Sequence, residues 1–292
     1  MRAFVWFLGM IILGLGAIAV LTYPAWIVLH PYFEFPFHRL GERIGMLVLL
    51  GVFLLSARRL GVGDRASLGY GVPRRMFLRD MSFGLIFGVV SMSAIVALMT
   101  AIGLLDWTPA GNADAAAVGK LVLLRLSSGL AVAFIEETFL RGAMLTAIER
   151  ESGSTTAVVL TAIVYSASHF FASFHIPPDQ VSTGSGIDLL RGTLDLLSRP
   201  FYIADAFLCL LAVGVVLGAV RVATGNIATC LGLHAGWVWV MLLVHELSNP
   251  VRTAPLGFLL SRFDGFVGWL VLAWTIVLGL GLRYFYARRV AR

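Results

Sequence analysis

Two glutamates and an arginine interrupt a strongly apolar stretch of the sequence. Glu136, Glu137 and Arg141 lie in AFIEETFLRGAML, residues 133–145. In a helix, Glu137 and Arg141 are four positions apart and share a face, whereas Glu136 is rotated by about 100° from Glu137. We therefore expect Arg141 to neutralise Glu137 and to leave Glu136 without a cationic partner. A carboxylate in that setting suits a general base.

Two histidines fall within later apolar segments, His169 in VYSASHFF and His234 in CLGLHAGWVW. With a rise of 1.5 Å per residue, Glu136 and His169 are each roughly 20 Å from one end of their predicted helices, and His234 is roughly 10 Å from its own. A lone buried histidine is most often a hydrogen-bonded core residue. Ionisable residues on three different apolar segments, however, together indicate a reactive site.

Other ionisable residues stand near the ends of apolar segments, where long side chains reach the membrane interface. We interpret four residues in this way: Lys120, Arg125, Arg221 and His245. Side chains at the interface need no buried partner. We therefore do not expect them at the site.

The composition is that of a membrane protein. Of the 292 residues, 59% are hydrophobic and 13% are charged, and the mean hydropathy is +0.90. A soluble domain carries about 25% charged residues. Because the apolar content extends along the whole chain, the sequence predicts an all-α polytopic membrane protein. The net charge of +6 indicates an orientation bias, and nucleic acid is not an expected partner.

About eight apolar runs are long enough to cross the hydrocarbon layer as helices. They cover residues 4–24, 42–57, 81–105, 119–149, 155–173, 202–221, 227–246 and 266–286. We expect these transmembrane helices to form a single membrane domain, residues 1–292, that encloses an intramembrane polar site. The long connection 174–200 is predicted to hold a short amphipathic helix at the interface.

Arginines predict the orientation of the chain. Six lie in the connection 57–80, and four more lie in the tail RYFYARRVAR. The positive-inside rule places both stretches in the cytoplasm, which an even number of crossings permits. Arg252 and Arg262 favour the opposite orientation but are outnumbered. We expect an integral protein of a bacterial inner membrane with both termini cytoplasmic, whose first apolar run is a retained span rather than a signal peptide.

The polar residues resemble the motifs of the CAAX protease and bacteriocin-processing family, the Abi family of intramembrane endopeptidases. The EExxxR motif of that family corresponds to the stretch from Glu136 to Arg141. Its FxxxH motif corresponds to Tyr165 and His169, with Tyr in place of Phe. The protease-like core is then about 81–246, with helices 4–24 and 42–57 before it and helix 266–286 after it.

A third motif of the family, HxxxN-like, is matched in part. His234 corresponds to its histidine, but Val238 stands where Asn is often found. The resemblance implies hydrolysis of a peptide bond in a membrane-associated or lipidated protein or peptide. It implies that Glu136 and His169 activate a water molecule and that His234 donates to the oxyanion. The supporting residues that it implies are Glu137, Arg141, Tyr165 and Trp237.

The resemblance favours a metal-free, glutamic-type mechanism without a cofactor. The alternative is a metalloprotease, since catalytic zinc uses three protein ligands and water. Its ligands would be Glu136, His169 and His234, although the sequence has no HExxH motif. Two other functions stay open: a non-catalytic scaffold or immunity-type member of the same fold, and a proton-coupled transporter that relays protons through the same residues. The two halves of the chain show no sequence repeat, and this argues against a transporter.

Overall fold

The apolar runs fold as helices because a helix satisfies its backbone hydrogen bonds within one segment. The computed structural model of the chain describes residues 1–108, 115–171 and 174–290. The α-helices are α1 (Arg2–Leu29), α2 (Phe37–Ser56), α3 (Arg74–Ala101), α4 (Ala115–Glu137), α5 (Leu145–Ser168), α6 (Ser185–Leu197), α7 (Pro200–Thr224), α8 (Ala228–Leu247) and α9 (Trp269–Val290). A π-helix (Thr138–Met144) joins α4 to α5, and short strands β1 (Leu105–Trp107) and β2 (Ser248–Pro250) pair antiparallel.

Six helical stretches in the described part of the chain are long and apolar enough to cross a membrane, so the prediction of an all-α membrane protein is confirmed. One of the six, Ala116–Ser168, contains both predicted runs 119–149 and 155–173. Gly153 interrupts this stretch with φ of 80° and ψ of 163°, a conformation that glycine reaches without steric cost. Two helical segments therefore meet at Gly153.

Two predicted runs extend a few residues past the end of their helix. The run 81–105 does so because α3 ends at Ala101 and Gly103 follows with φ of 73°. The chain then enters β1, where Asp106 pairs with Asn249 of β2. The run 155–173 also extends past its helix, because α5 ends at Ser168. Residues 172 and 173 of this run lie outside the described residues. Hydropathy continues past both ends and therefore does not indicate them.

The short helix predicted between residues 174 and 200 is confirmed as α6. It packs directly on α1, since a Cβ atom at Gly186 would meet the carbonyl oxygen of Ala19 at 2.3 Å. A similar contact joins α7 to α5, where a Cβ atom at Gly214 would meet the Cα of Ala162 at 2.8 Å. Small residues thus bring helix backbones together, as is common in membrane bundles.

The described helices α3 and α8 pack tightly against each other, and each contributes two glycines spaced four residues apart. A Cβ atom would meet Thr229 O at 2.3 Å if placed on Gly84 and Met81 O at 1.9 Å if placed on Gly232. Gly88 and Gly236 approach the opposite backbone in the same way. The two backbones are therefore in direct contact on both sides of the level at which α8 carries His234.

Gly232→Ala is expected to destabilise the protein by about 1–3 kcal/mol, since its methyl group would meet backbone atoms that cannot rotate away. Thermal unfolding in detergent measures the loss. The matched control is Gly281→Ala on α9, where no described atom lies within 4 Å of the new Cβ atom. Equal unfolding temperatures for the two variants would contradict the contact between α3 and α8.

Candidate active site

Glu137, in the last turn of α4, binds two partners through one oxygen. Its Oε1 accepts a hydrogen bond from Arg141 Nη1 at 2.9 Å and another from His234 Nδ1 at 2.8 Å. The Glu137 and Arg141 side chains are 0% exposed. The predicted pairing of Glu137 with Arg141 is confirmed, and the fold adds His234 of α8 to the same carboxylate.

The contact with Glu137 determines which nitrogen of His234 carries a proton. A carboxylate oxygen can only accept a hydrogen bond, so Nδ1 must be the donor. In a neutral ring, Nε2 then carries the lone pair, and after protonation both nitrogens are donors. Glu137 thus orients the His234 ring through Nδ1 and stabilises the ring when it is charged.

Glu136 lies on the other side of His234. Its Oε2 is 4.0 Å from His234 Nε2, which is too long for a direct hydrogen bond. Within the described residues, this buried oxygen has no hydrogen-bond partner, although the Glu136 side chain as a whole is 30% exposed. As predicted, Arg141 pairs with Glu137 and not with Glu136. The uncommitted carboxylate oxygen instead faces an imidazole nitrogen.

Tyr165 is the aromatic centre of the site. Its ring centroid lies 4.5 Å from that of His169 and 5.9 Å from that of His234, both edge to face. The Arg141 guanidinium lies 4.6 Å above the ring, a distance typical of a cation–π contact. The buried tyrosine thus holds residues of three helical segments in van der Waals contact.

His169 stands at the C-terminal end of α5, immediately after the last helical residue. Its Nδ1 is 2.8 Å from the carbonyl oxygen of Tyr165 and must donate to it, and its Nε2 has no hydrogen-bond partner among the described residues. No ion pair or hydrogen bond between described residues joins His169 to Glu136 or Glu137. Hydrogen bonds therefore assemble Glu137, Arg141 and His234. Glu136 faces this group across the 4.0 Å gap, and His169 reaches it through the ring of Tyr165.

A comparison with known protein families matches the part of the chain that holds these residues. Residues 118–240 match the family model described as "Rce1-like: Type II CAAX prenyl endopeptidase Rce1-like". This part of the chain is similar to that family, and we call residues 118–240 the Rce1-like segment. The predicted family resemblance is confirmed, and the matched range lies inside the predicted core 81–246. Neither a curated protein nor a solved structure matches the chain.

The Rce1-like segment holds the donors of the alternative zinc set, Glu136, His169 and His234. Among the residues that the structure describes, no group of three or more His, Cys, Asp or Glu side chains is arranged to hold a metal ion. Both histidines nevertheless donate from Nδ1 to an oxygen, an arrangement that orients Nε2 toward either a water molecule or a metal. The donor types suit zinc, but their present spacing does not assemble its site.

Trp237 and Val238 occupy the last part of the Rce1-like segment. The Trp237 ring is buried, and its Nε1 donates to Ser91 Oγ of α3 at 3.0 Å. Its polar contact therefore stabilises the α3–α8 pair. Val238 is half-buried and has no hydrogen-bond donor in its side chain. On α8, the side chain nearest in sequence to Val238 that can donate a hydrogen bond from an imidazole is His234, four residues earlier.

Sequence reasoning missed two features of the Rce1-like segment. The first is the π-helix Thr138–Met144, for which the sequence offered no signal. The second is Arg221, which was expected at the membrane interface. That prediction is wrong, because Arg221 is 7% exposed and donates from Nε to the Arg141 carbonyl and from Nη2 to Thr146 Oγ1, both at 3.3 Å. Its apolar neighbours in VLGAVRV were the available signal.

Proposed function

We propose that this chain is an intramembrane endopeptidase that hydrolyses a peptide bond of a membrane-associated or lipidated protein or peptide. The observation that carries the proposal is the 4.0 Å gap between Glu136 Oε2 and His234 Nε2. Glu137 holds the far side of the same imidazole. The Rce1-like match over residues 118–240 supports a CAAX-type protease.

The groups on the two sides of the gap have complementary chemistry. Arg141 pairs with Glu137 and not with Glu136, so the group that faces the free oxygen of Glu136 is the imidazole of His234. A carboxylate oxygen accepts a proton, and an imidazole N–H donates a hydrogen bond. We therefore assign Glu136 Oε2 as the proton acceptor and His234 Nε2 as the donor.

These two atoms can divide the chemistry of hydrolysis. Polar groups 4 Å apart can hold a water molecule between them. Glu136 accepts a proton from that water as its oxygen attacks the scissile carbonyl carbon, and His234 Nε2–H donates a hydrogen bond to the developing oxyanion. Glu136 then gives this proton to the nitrogen of the leaving amine as the C–N bond breaks. Because Val238 offers no donor from its side chain, the oxyanion depends on His234. His169 acts with Glu136 on the water through its uncommitted Nε2.

The mechanism needs no cofactor, and we propose the metal-free form. If zinc were bound, Glu136, His169 and His234 would hold it, and the ion would supply Lewis-acid polarisation of the scissile carbonyl. The same three side chains would be metal ligands in one form and act directly on the water and the substrate in the other. Removal of metal therefore distinguishes them.

We propose eight crossings with both termini in the cytoplasm of a bacterial cell. The stretch Ala116–Ser168 supplies two helical segments, and α2 adds 20 residues to the six apolar stretches. The N-terminal amine is 2.7 Å from Glu151, and Arg150 bonds to the carbonyl of Gly61. These contacts bring the N-terminus and the arginine-rich connection 57–80 to the same end of the bundle, as the positive-inside rule requires.

The test is cleavage by the purified protein in detergent, with and without a strong chelator. The substrates are peptides with varied C-termini, each made with and without a lipid chain. We expect cleavage that survives chelation and disappears in Glu136→Ala. Loss of cleavage on chelation with recovery on addition of zinc would overturn the metal-free form.

Three other results would contradict an enzyme. Equal cleavage by wild type and Glu136→Ala would assign the activity to a contaminant. Absence of cleavage, together with partner binding that survives Glu136→Ala, would favour the scaffold. Proton-coupled flux in proteoliposomes, lost in Glu136→Ala, would favour the transporter. Val238, which replaces an expected hydrogen-bond donor, is the feature of the chain that favours the scaffold.

A further inference from the structure

Arg221 is a buried cation that the proposed mechanism does not use. It lies in the last turn of α7, and no ion pair within 4.0 Å joins it to a carboxylate of the described residues. Both of its hydrogen bonds go to neutral oxygens of the segment that follows Glu137, at Arg141 and Thr146. We propose that Arg221 is a positioning residue that holds the π-helix in the register required by the catalytic pair, an inference that rests on the proposed function.

Arg141 and Arg221 connect the π-helix and α7 in both directions. The Arg221 Nε donates to the backbone carbonyl of Arg141 at 3.3 Å. In return, the Arg141 Nη2 donates to the backbone carbonyl of Gly214, two turns earlier on α7, at 3.4 Å. Gly214 itself packs against the backbone of α5 at Ala162. The π-helix is therefore attached to a helix that is itself firmly packed.

The register of this segment determines the geometry at His234. Arg141 donates to Glu137, Glu137 accepts from His234, and the other side of that ring faces Glu136. A π-helix is rarer and less favourable than an α-helix and persists where other contacts hold it. A shift by one residue would rotate Arg141 by about 100° relative to Glu137. The bond from Arg221 to the Arg141 carbonyl opposes such a shift.

The chemistry of Arg221 suits this role better than simple packing. An apolar side chain would fill the same space without the cost of burying a charge. A guanidinium, in contrast, can bond to two oxygens in a fixed fork, here one in the π-helix and one in the first turn of α5. The bonds of Arg221 therefore span the junction at which the helix type changes.

The experiment compares Arg221→Met, Arg221→Lys and Thr146→Val with wild type. Arg221→Met is expected to lower kcat by about 10- to 100-fold, as loss of an outer positioning partner does, with KM unchanged. Arg221→Lys keeps the charge but lacks the fork, so it should recover part of kcat. Thr146→Val removes only one acceptor and should give a smaller loss. Arg58→Met, at an exposed position of the connection 57–80, is the matched control.

A second measurement does not require activity. The ¹⁵N spectrum of histidine-labelled protein, with the His234 signal assigned by His234→Gln, reports the protonation and hydrogen bonding of that ring. We expect Arg221→Met to shift the His234 signal and Arg58→Met to leave it in place. If wild type shows no cleavage, the proposed function fails, and this signal still decides the role of Arg221.

Two results would overturn the inference. One is wild-type kcat together with an unshifted His234 signal in Arg221→Met. The other is a lower unfolding temperature with the His234 signal unchanged, which would make Arg221 a packing residue. A fall in kcat that Arg221→Lys partly reverses, with a shifted His234 signal, supports the positioning role.

Discussion

Glu136→Gln is expected to lower kcat for peptide cleavage by about 10²- to 10⁴-fold and to leave the unfolding temperature unchanged. Glutamine keeps the size of the side chain but cannot accept a proton from water. The Glu136 Oε2 has no hydrogen-bond partner among the described residues, so the substitution breaks no contact that stabilises the fold. Cleavage kinetics and thermal unfolding in detergent measure the two effects separately.

The neighbouring residue provides the contrast. Glu137→Gln removes the charge that holds Arg141 and His234, and it should lower both kcat and the unfolding temperature. Glu34→Gln, at an exposed position outside the site, should change neither quantity. If Glu136→Gln retained the wild-type rate, Glu136 could not be the base. If Glu136→Gln lowered the unfolding temperature as much as Glu137→Gln does, the two glutamates would not have separate roles.

Arg141→Met is expected to lower the free energy of unfolding by about 3–5 kcal/mol, the usual cost of removing one partner of a buried ion pair. Methionine fills much of the space but leaves the Glu137 carboxylate fully buried without its guanidinium. The variant also loses the cation–π contact with Tyr165 and the hydrogen bond to Gly214. Unfolding of the detergent-solubilised protein by heat and by denaturant measures the change.

The control for this prediction is an exposed pair with similar spacing. Arg191 and Asp188 pair on α6, and the Arg191 side chain is 75% exposed. Arg191→Met should change the free energy of unfolding by less than about 1 kcal/mol. The double variant Glu137→Gln with Arg141→Met should be more stable than Arg141→Met alone, because it removes the unpaired charge. A double variant that is less stable than Arg141→Met would show that the unpaired charge of Glu137 is not what destabilises Arg141→Met.

Local patterns predicted much of the fold and part of the site. Long apolar runs have few alternatives to helices in a membrane, so the class of protein and the approximate spans followed from composition. Glu137 and Arg141 are neighbours on one helical turn, and their pairing followed from spacing alone. The family resemblance likewise depended on short motifs that are continuous in the chain.

Contacts between distant residues could not be derived in the same way. Glu137 and His234 are 97 positions apart, and their hydrogen bond depends on how closely α4 and α8 approach. Hydropathy does not indicate that approach, because lipid and apolar side chains are nearly equivalent environments for a helix. Gly129 of α4 permits it, since a Cβ atom there would meet the carbonyl oxygen of Ala235 on α8 at 2.9 Å.

The sequence by itself determined that this is an all-α membrane protein with an EExxxR helix and two later histidines in apolar segments. Only the tertiary structure decided that one glutamate orients His234 while the other faces it, and that Arg221 is buried behind the π-helix. The physical reason is that composition and turn spacing act along one helix. The orientation of a buried charge depends instead on partners that other helices supply.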